Sequence, residues 1–185
     1  MRVHSFFAAL IMLLPGLALS HNLTQGERVP AIGVADKGEL IYHEDTFSYK
    51  NWNSAQLPGK VRVIQHIAGR SSAKQMNAAL IEAIKAANLP RDRYQTTTIV
   101  NTDDAIPGTG MFVRSSIENN KRQYPWSQFI VDSKGNVKQA WQLAAGGSAI
   151  LVVDKDGRVR FARDGALTRQ EVTQVTTLLK QLLQQ

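Results

Sequence analysis

Apolar residues recur with the period of an α-helix in the segment that follows Ser72. The apolar positions on one helical face are Met76, Ala79, Leu80, Ala83, Ile84 and Ala87. Ser72 followed three residues later by Gln75 is the pattern of a capping box, and Pro90 cannot continue a helix. The pattern therefore predicts an amphipathic helix that begins after Ser72 and ends before Pro90.

A second helical pattern occupies the C-terminal end of the chain, where Thr168 and Glu171 form another capping-box pattern. The apolar stripe that follows them consists of Val172, Val175, Leu179 and Leu182. This spacing predicts a helix that packs one face on the rest of the domain. A third, weaker pattern predicts a helix from Met111 to about Tyr124, ending before Pro125.

Two β-rich segments, Val61–Ile67 and Arg93–Asn101, flank the first helical pattern. The order strand, helix, strand is typical of a right-handed βαβ unit, whose two strands are parallel neighbours in one sheet. We therefore expect parallel strands at the centre of the sheet.

Three other segments share one pattern: an apolar run, an Asp, a Gly two or three residues later, and a second apolar run. They are Ile32–Ile41, Phe129–Val137 and Leu151–Val159. Asp supports a turn through its side chain and Gly accepts a positive φ, so each segment predicts a tight reversal between antiparallel strands. Together the patterns predict an α/β protein with a mixed sheet, helices on both faces and an N-terminal β-hairpin.

The N-terminal residues have the pattern of a secretory signal peptide. A short basic start is followed by the apolar run Phe6–Leu14, the pair Pro15-Gly16, and small residues at Ala18 and Ser20. We predict cleavage after Ser20, which leaves residues 21–185 as one exported domain of the periplasm. The apolar run is too short to cross a bilayer of about 30 Å, so we predict no membrane span.

The sequence is basic, with a formal net charge of +7, or +6 once residues 1–20 are removed with their single Arg. The cations occur singly or in pairs such as Lys121-Arg122, near acidic residues. Nucleic-acid binding normally requires clustered Lys and Arg with aromatic platforms. We therefore predict that nucleic acid is not a partner.

The sequence contains no cysteine. Thiol–disulfide exchange requires a thiolate, and cysteine-based peroxide reduction requires a sulfenic acid. The chain is therefore neither a thiol oxidoreductase nor a cysteine peroxidase, and its stability depends on packing rather than on disulfides.

Several segments nevertheless resemble extracytoplasmic thioredoxin-like reductases. Gly26–Pro30, Leu57–Val63 and Ile150–Val159 occur in the order of that family's opening segment, its lead into the central strand and its later hairpin. The resemblance implies a thioredoxin-like fold. Arg70-Ser71-Ser72-Ala73 stands where that family has Cys-x-x-Cys, and Gly147-Ser148-Ala149 stands where it has a cis-proline, so its catalytic roles do not carry over.

Almost the whole of residues 21–185 resembles the YtfJ family of Gram-negative bacteria more closely. The resembling runs are Tyr49–Leu57, Gln65–Arg70, Asp92–Gly108 and Tyr124–Asp132. This resemblance implies a periplasmic protein with a thioredoxin-like fold and no established activity.

The candidate site is the Gly69–Ser72 turn, because the start of a helix offers free N–H groups and Arg70 adds a planar donor. An anion bound by Arg70, Ser71 and Ser72 is one interpretation. The alternative is structural: Ser72 caps the helix and Arg70 pairs with a surface acid. Ser148 is expected beside this turn on the resemblance to the thioredoxin-like reductases.

His66 lies late on the central strand, near Ser71 and Ser72, which invites a nucleophile–base interpretation. No Gly-x-Ser-x-Gly motif surrounds them, and a hydrogen-bonded core histidine is the favoured alternative. Asp103 and Asp104 are expected to stabilise a turn or a helix start. Copper binding by His21 is left open, and no metal site or cofactor is predicted.

Two functions follow as hypotheses. The first is a non-redox periplasmic binding or accessory protein that recognises a protein, a peptide or a small anion on the face around Arg70 and Ser148. The second is an enzyme, a hydrolase or transferase, that uses Ser, His or Asp on the same face. The two are distinguished by whether His66 lies within hydrogen-bond reach of a serine hydroxyl in a cleft.

Overall fold

A computed structural model describes residues 21–185. The predicted signal peptide, residues 1–20, lies outside the described residues. The strands are β1 (Gly33–His43), β2 (Thr46–Asn53), β3 (Val61–Ala68), β4 (Tyr94–Asn101), β5 (Gln128–Asp132), β6 (Ser148–Val153) and β7 (Val159–Asp164). They form one sheet in the order β2-β1-β5-β4-β3-β6-β7.

The helices are α1 (Ser71–Met76), α2 (Ala78–Ala87), α3 (Gly110–Gln123), α4 (Asn136–Trp141) and α5 (Arg169–Leu182). β3, β4 and β5 are parallel neighbours, while β1, β2, β6 and β7 add antiparallel strands. The predicted parallel pair across the first helical segment is confirmed. The mixed sheet of an α/β fold with flanking helices is confirmed as well.

Alternation along β3 directs its side chains to two cores, because successive strand residues point to opposite faces. Val61 and Val63 pack with α2 and α5, and Ile67 packs with α3 on that same face. Ile64 packs on the other face with the core around α4. All eight residues of β3 are buried, which is typical of a strand covered on both sides.

Only one of the three predicted Asp–Gly reversals has the predicted form. The segment Leu151–Val159 spans the turn between antiparallel β6 and β7. The segment Ile32–Ile41 lies mainly within the single strand β1, where Gly38 (φ 84°) occupies a register shift. The N-terminal hairpin exists, but the chain reverses at Glu44-Asp45, whose φ values are 48° and 59°.

The segment Phe129–Val137 also differs from the prediction, because it leads from β5 into α4. The Asp132 side chain accepts hydrogen bonds from the N–H groups of Lys134 and Val137, at 3.3 and 2.8 Å. The carboxylate thereby satisfies an N–H in the first turn of α4 and favours helix entry over strand reversal.

The predicted helix after Ser72 is broken in two at Asn77. This buried side chain donates to the Ser148 hydroxyl and the Gly165 carbonyl and accepts from the Leu167 N–H, at 2.9 to 3.1 Å. The predicted capping box of Ser72 and Gln75 is wrong, because α1 begins after Arg70 with no side-chain cap. The C-terminal capping box of Thr168 and Glu171 is confirmed.

Candidate functional site

Arg70 lies at the carboxyl end of β3 and is held by a neighbouring loop. Its Nε donates to the Asp104 carbonyl, and its guanidinium lies 3.8 Å from the Asp104 carboxylate. A Cβ on Gly146 would lie 3.3 Å from Nη1 of Arg70, so the 144–147 loop packs directly against the guanidinium. The pairing of Arg70 with an acid, one of the two interpretations of this residue, is present.

Asp104 joins three segments around the Gly69–Ser72 turn. Its carboxylate accepts the Gly146 N–H at 2.7 Å and lies 3.6 Å from the Lys138 ammonium on α4. Burial alone would raise the pKa of this carboxyl, but the Gly146 hydrogen bond and the charges of Lys138 and Arg70 lower it below the ordinary value. Asp104 therefore remains ionised at neutral pH and fixes Arg70 in place.

The serines of the candidate site have different environments. Ser71 and Ser72 are exposed, and within residues 21–185 neither hydroxyl forms a hydrogen bond. Ser148 is only 1 % exposed, and its hydroxyl accepts from Asn77. Ser148 therefore supports the junction of α1 and α2 from beneath and does not face solvent.

His66 is 3 % exposed and lies on the α4 face of the sheet. Burial lowers its pKa to about 4, Lys138 adds to the lowering, and Asp164 and Asp104 oppose it. The ring is neutral at pH 7, and its Nε2 has no hydrogen-bond partner among residues 21–185. The location in the core fits the favoured interpretation, but the hydrogen bond expected there is absent at Nε2.

The described chain also contains a large groove that the sequence analysis did not anticipate. This α2–α3 groove has a volume of about 1040 Å³ and runs between α1–α2 and α3, over the face of β3, β4 and β5. Its lining is mostly apolar and includes Ile67, Ile81, Val100, Phe112, Ile117 and Phe129. Arg70 and Ser71 line it at the carboxyl end of β3, so the predicted turn forms one end of the groove.

Polar side chains lie in the floor of the α2–α3 groove, among them Gln65 and Thr98. Gln65 on β3 and Thr98 on β4 are register neighbours, 5 % and 9 % exposed. Nε2 of Gln65 is buried without a hydrogen-bond partner in residues 21–185. Leaving a buried donor unpaired costs about 1–3 kcal/mol, so an acceptor that reaches this amide from the groove lowers that cost.

Cationic side chains lie along the mouth of the groove. Lys74 on α1 donates to the Ser116 hydroxyl on α3 at 3.3 Å, and Lys85 on α2 lies 4.8 Å from the Tyr124 ring. Each contact connects the α1–α2 side of the groove to the α3 side. Arg91 stacks on Trp126, with Cζ 3.4 Å from the ring centroid.

The sequence did carry partial signals for this groove. Gln65 interrupts a strand that is otherwise apolar on the same face, and Ile106, Phe112 and Trp126 are large apolar residues left exposed. The groove itself depends on the distance between α2 and α3 across the sheet, which no local pattern encodes. In the part of the chain that the structure describes, no group of three or more potential metal ligands forms a site, and no helix is long and apolar enough to span a membrane.

The architecture defines a thioredoxin-like protein, here one without thiols. A thiol-disulfide isomerase from Corynebacterium glutamicum superposes with a TM-score of 0.56 at 15% identity, over 89% of this chain and 98% of that one. The thioredoxin domain of a thiol-disulfide oxidoreductase from Bacteroides vulgatus gives 0.55 at 14% identity, over 85% and 99% of the two chains. At these identities the likeness shows the fold alone.

Sequence comparison gives the family. The profile of the bacterial proteins of unknown function YtfJ_HI0045 matches residues 23–182. The uncharacterized protein YtfJ of Escherichia coli K12 is 64% identical over 99% of this chain and the whole of its own length. An uncharacterized protein of Haemophilus influenzae is 42% identical over 88% and 89% of the two chains. The chain belongs to the YtfJ family.

Proposed function

We propose that residues 21–185 form a thiol-independent binding protein whose ligand occupies the α2–α3 groove. One observation carries this proposal: a groove of about 1040 Å³ with a mainly apolar surface has Gln65 in its floor, and the buried Nε2 of Gln65 has no hydrogen-bond partner within the described part of the chain. Small-molecule sites are typically concave, apolar and provided with a few polar groups that orient the ligand.

The residues singled out in the sequence fit this proposal in two groups. Arg70 and Ser71 form the rim at the carboxyl end of β3, where a ligand's polar end meets solvent, and the exposed Ser72 follows them outside the groove lining. Ser148 and His66 are buried below this rim, and we assign them a supporting role. Ser148 fixes Asn77 and thereby the angle between α1 and α2.

The enzyme alternative receives no comparable support. It needs His66 as a base beside a serine hydroxyl, and no hydrogen bond joins His66 to a serine within residues 21–185. The groove and the His66 ring also belong to opposite faces of the sheet.

We also propose that the protein works in the periplasm after removal of residues 1–20. The signal-peptide pattern of residues 1–20 supports this localisation. The test is mass spectrometry of the protein from fractionated cells: the expected species begins at His21 and is found in the periplasmic fraction. A cytosolic species that retains Met1 would contradict the proposal.

Binding in the groove is tested by native mass spectrometry of protein isolated without detergent. Ala78 is exposed and lines the groove, so Ala78→Trp should block it while leaving the fold intact. Ala79 is the next residue of α2, is exposed and lies outside the groove, so Ala79→Trp is the matched control. We expect a copurifying mass in the wild type and in Ala79→Trp that is absent from Ala78→Trp; equal occupancy in all three proteins would place binding elsewhere.

A further inference from the structure

We propose that the ligand of the α2–α3 groove is an anionic amphiphile: an elongated apolar molecule whose negatively charged end carries the oxygen that accepts from Gln65. This inference rests on the proposed function and adds the chemical class of the ligand. Three properties of the groove support it: the apolar lining, the unpartnered donor in the floor and the charge at the mouth.

The apolar lining extends over the length of the strands. Tyr94 and Leu89 lie towards the amino end of β4, while Ile67 and Val100 lie near the carboxyl ends of β3 and β4. An eight-residue strand spans about 26 Å, so the floor accommodates an extended chain rather than a compact ring system. Burying the methylenes of such a chain against this lining favours binding.

The donor in the floor requires an acceptor on the ligand. Nε2 of Gln65 is buried and has no partner among residues 21–185, and Thr98 lies beside Gln65 on β4. A pure hydrocarbon in the groove would leave the Gln65 donor unpaired and would seal it from water. An oxygen-bearing ligand removes that cost, since a carbonyl, carboxylate or phosphate oxygen accepts the Gln65 N–H.

The cationic side chains that line the groove favour a ligand with a negatively charged end. Arg70 is paired with Asp104, and Lys85 is paired with Glu82 at 2.9 Å. Lys74 and Arg91 also line the groove, and neither forms a salt bridge with any residue from 21 to 185. Among residues 21–185, Lys74 donates only to the neutral Ser116 hydroxyl across the groove, and its ammonium has no acidic partner there. A carboxylate or phosphate there forms a charge-assisted hydrogen bond.

The test uses cis-parinarate, a fluorescent long-chain carboxylate, titrated below its micelle concentration into the purified protein. Displacement by dodecanoate, 1-dodecanol and dodecylammonium then compares three head charges on one chain length. We expect dodecanoate to displace the probe at a concentration at least tenfold lower than either competitor. Dodecyl phosphate forms the fourth arm, and its rank against dodecanoate distinguishes a single-chain lipid phosphate from a free fatty acid.

Two substitutions test the residue assignments. Lys74→Gln should weaken dodecanoate about tenfold, the usual effect of losing one charge-assisted hydrogen bond, while leaving 1-dodecanol unchanged. Lys180 is an exposed residue of α5 outside the groove, so Lys180→Gln removes the same charge and controls for net charge. Gln65→Leu should also weaken dodecanoate and, because it removes an unpaired buried donor, should not lower the melting temperature of the free protein.

The outcomes separate the ligand class from the groove itself. Equal displacement by all three head groups would overturn the anionic assignment, and so would equal dodecanoate affinity in Lys74→Gln and wild type. If Ala78→Trp still abolished binding in either case, the groove would remain the binding site. Binding that Ala78→Trp leaves intact would overturn the proposed function as well.

Discussion

His66 makes the stability of this protein depend on pH in a calculable way. The ordinary pKa of histidine is 6.5, and burial among the side chains of the α4 face lowers the pKa of His66 to about 4. The folded state therefore binds no proton at His66 between pH 7 and pH 5, whereas the unfolded state takes up nearly one. Stability is fully present above pH 6.5 and is lost as the pH falls from 6.5 towards 4, because the unfolded state binds more protons there.

The size of the effect follows from this difference. One pKa unit corresponds to 1.36 kcal/mol, so between pH 7 and pH 5 the free energy of unfolding should fall by about 2 kcal/mol on account of His66 alone. Below pH 4 the folded protein also binds the proton and this contribution stops growing.

The assay is urea unfolding of the wild type and of His66→Leu at pH 7 and pH 5. Leu retains a buried side chain and removes the titrating group, so the difference between the two proteins isolates His66. We expect the loss of stability between the two pH values to be about 2 kcal/mol smaller in His66→Leu, with equal urea m-values. Identical losses in both proteins would refute the interpretation that His66 is buried and neutral in the folded state.

Three further predictions concern the fold. Thr168→Ala should lower the free energy of unfolding by about 1 kcal/mol, because it removes the capping box of α5. Ser72→Ala should lower it by less than about 0.5 kcal/mol, because the Ser72 side chain does not cap α1, and urea unfolding of the two variants measures the difference. Gly38→Ala should cost more than about 2 kcal/mol, since φ is 84° and the new Cβ would clash with the Lys50 carbonyl. Gly26→Ala should cost about 1 kcal/mol, since φ is 86° and no atom of residues 21–185 lies within 4 Å of the new Cβ. Asn77→Ala should cost about 3 kcal/mol through the loss of the three hydrogen bonds of this buried side chain, and a thermal unfolding midpoint within 2 °C of the wild type would contradict that role.

Several elements with a long periodic pattern were predicted correctly, and so was the helix α3 (Gly110–Gln123) from the weaker pattern of Met111–Tyr124. The apolar stripe that follows Thr168 and the apolar strands on either side of the first helical segment contain enough repeats to determine the kind of secondary structure and its position in the chain. The family resemblance added the thioredoxin-like fold, which the structural superpositions support independently.

The incorrect predictions concern local sequence patterns that occur in more than one kind of structure. A Gly with positive φ after an Asp occurs in a hairpin turn, in the register shift at Gly38 and at the entry to α4, and only the surrounding chain decides among them. The break at Asn77 has a similar origin, because its partners Ser148, Gly165 and Leu167 are 71 to 90 residues away in the sequence.

The candidate site was predicted only at its edge. Arg70 and Ser71 do line the α2–α3 groove, yet the groove follows from the separation of two helices that are distant in sequence. Gln65 could have been singled out, since a polar residue on the apolar face of a central strand is costly without a partner.

The binding claim is tested most directly by ¹H–¹⁵N NMR of the side-chain amide of Gln65 during titration with dodecanoate. We predict that its two N–H resonances shift as the ligand oxygen accepts from Nε2, together with backbone amides of Lys74, Val100 and Ile117 around the groove. Saturation with dodecanoate that leaves the Gln65 resonances unmoved, or that shifts only residues on the α4 face, would contradict the assignment of the α2–α3 groove as the ligand site.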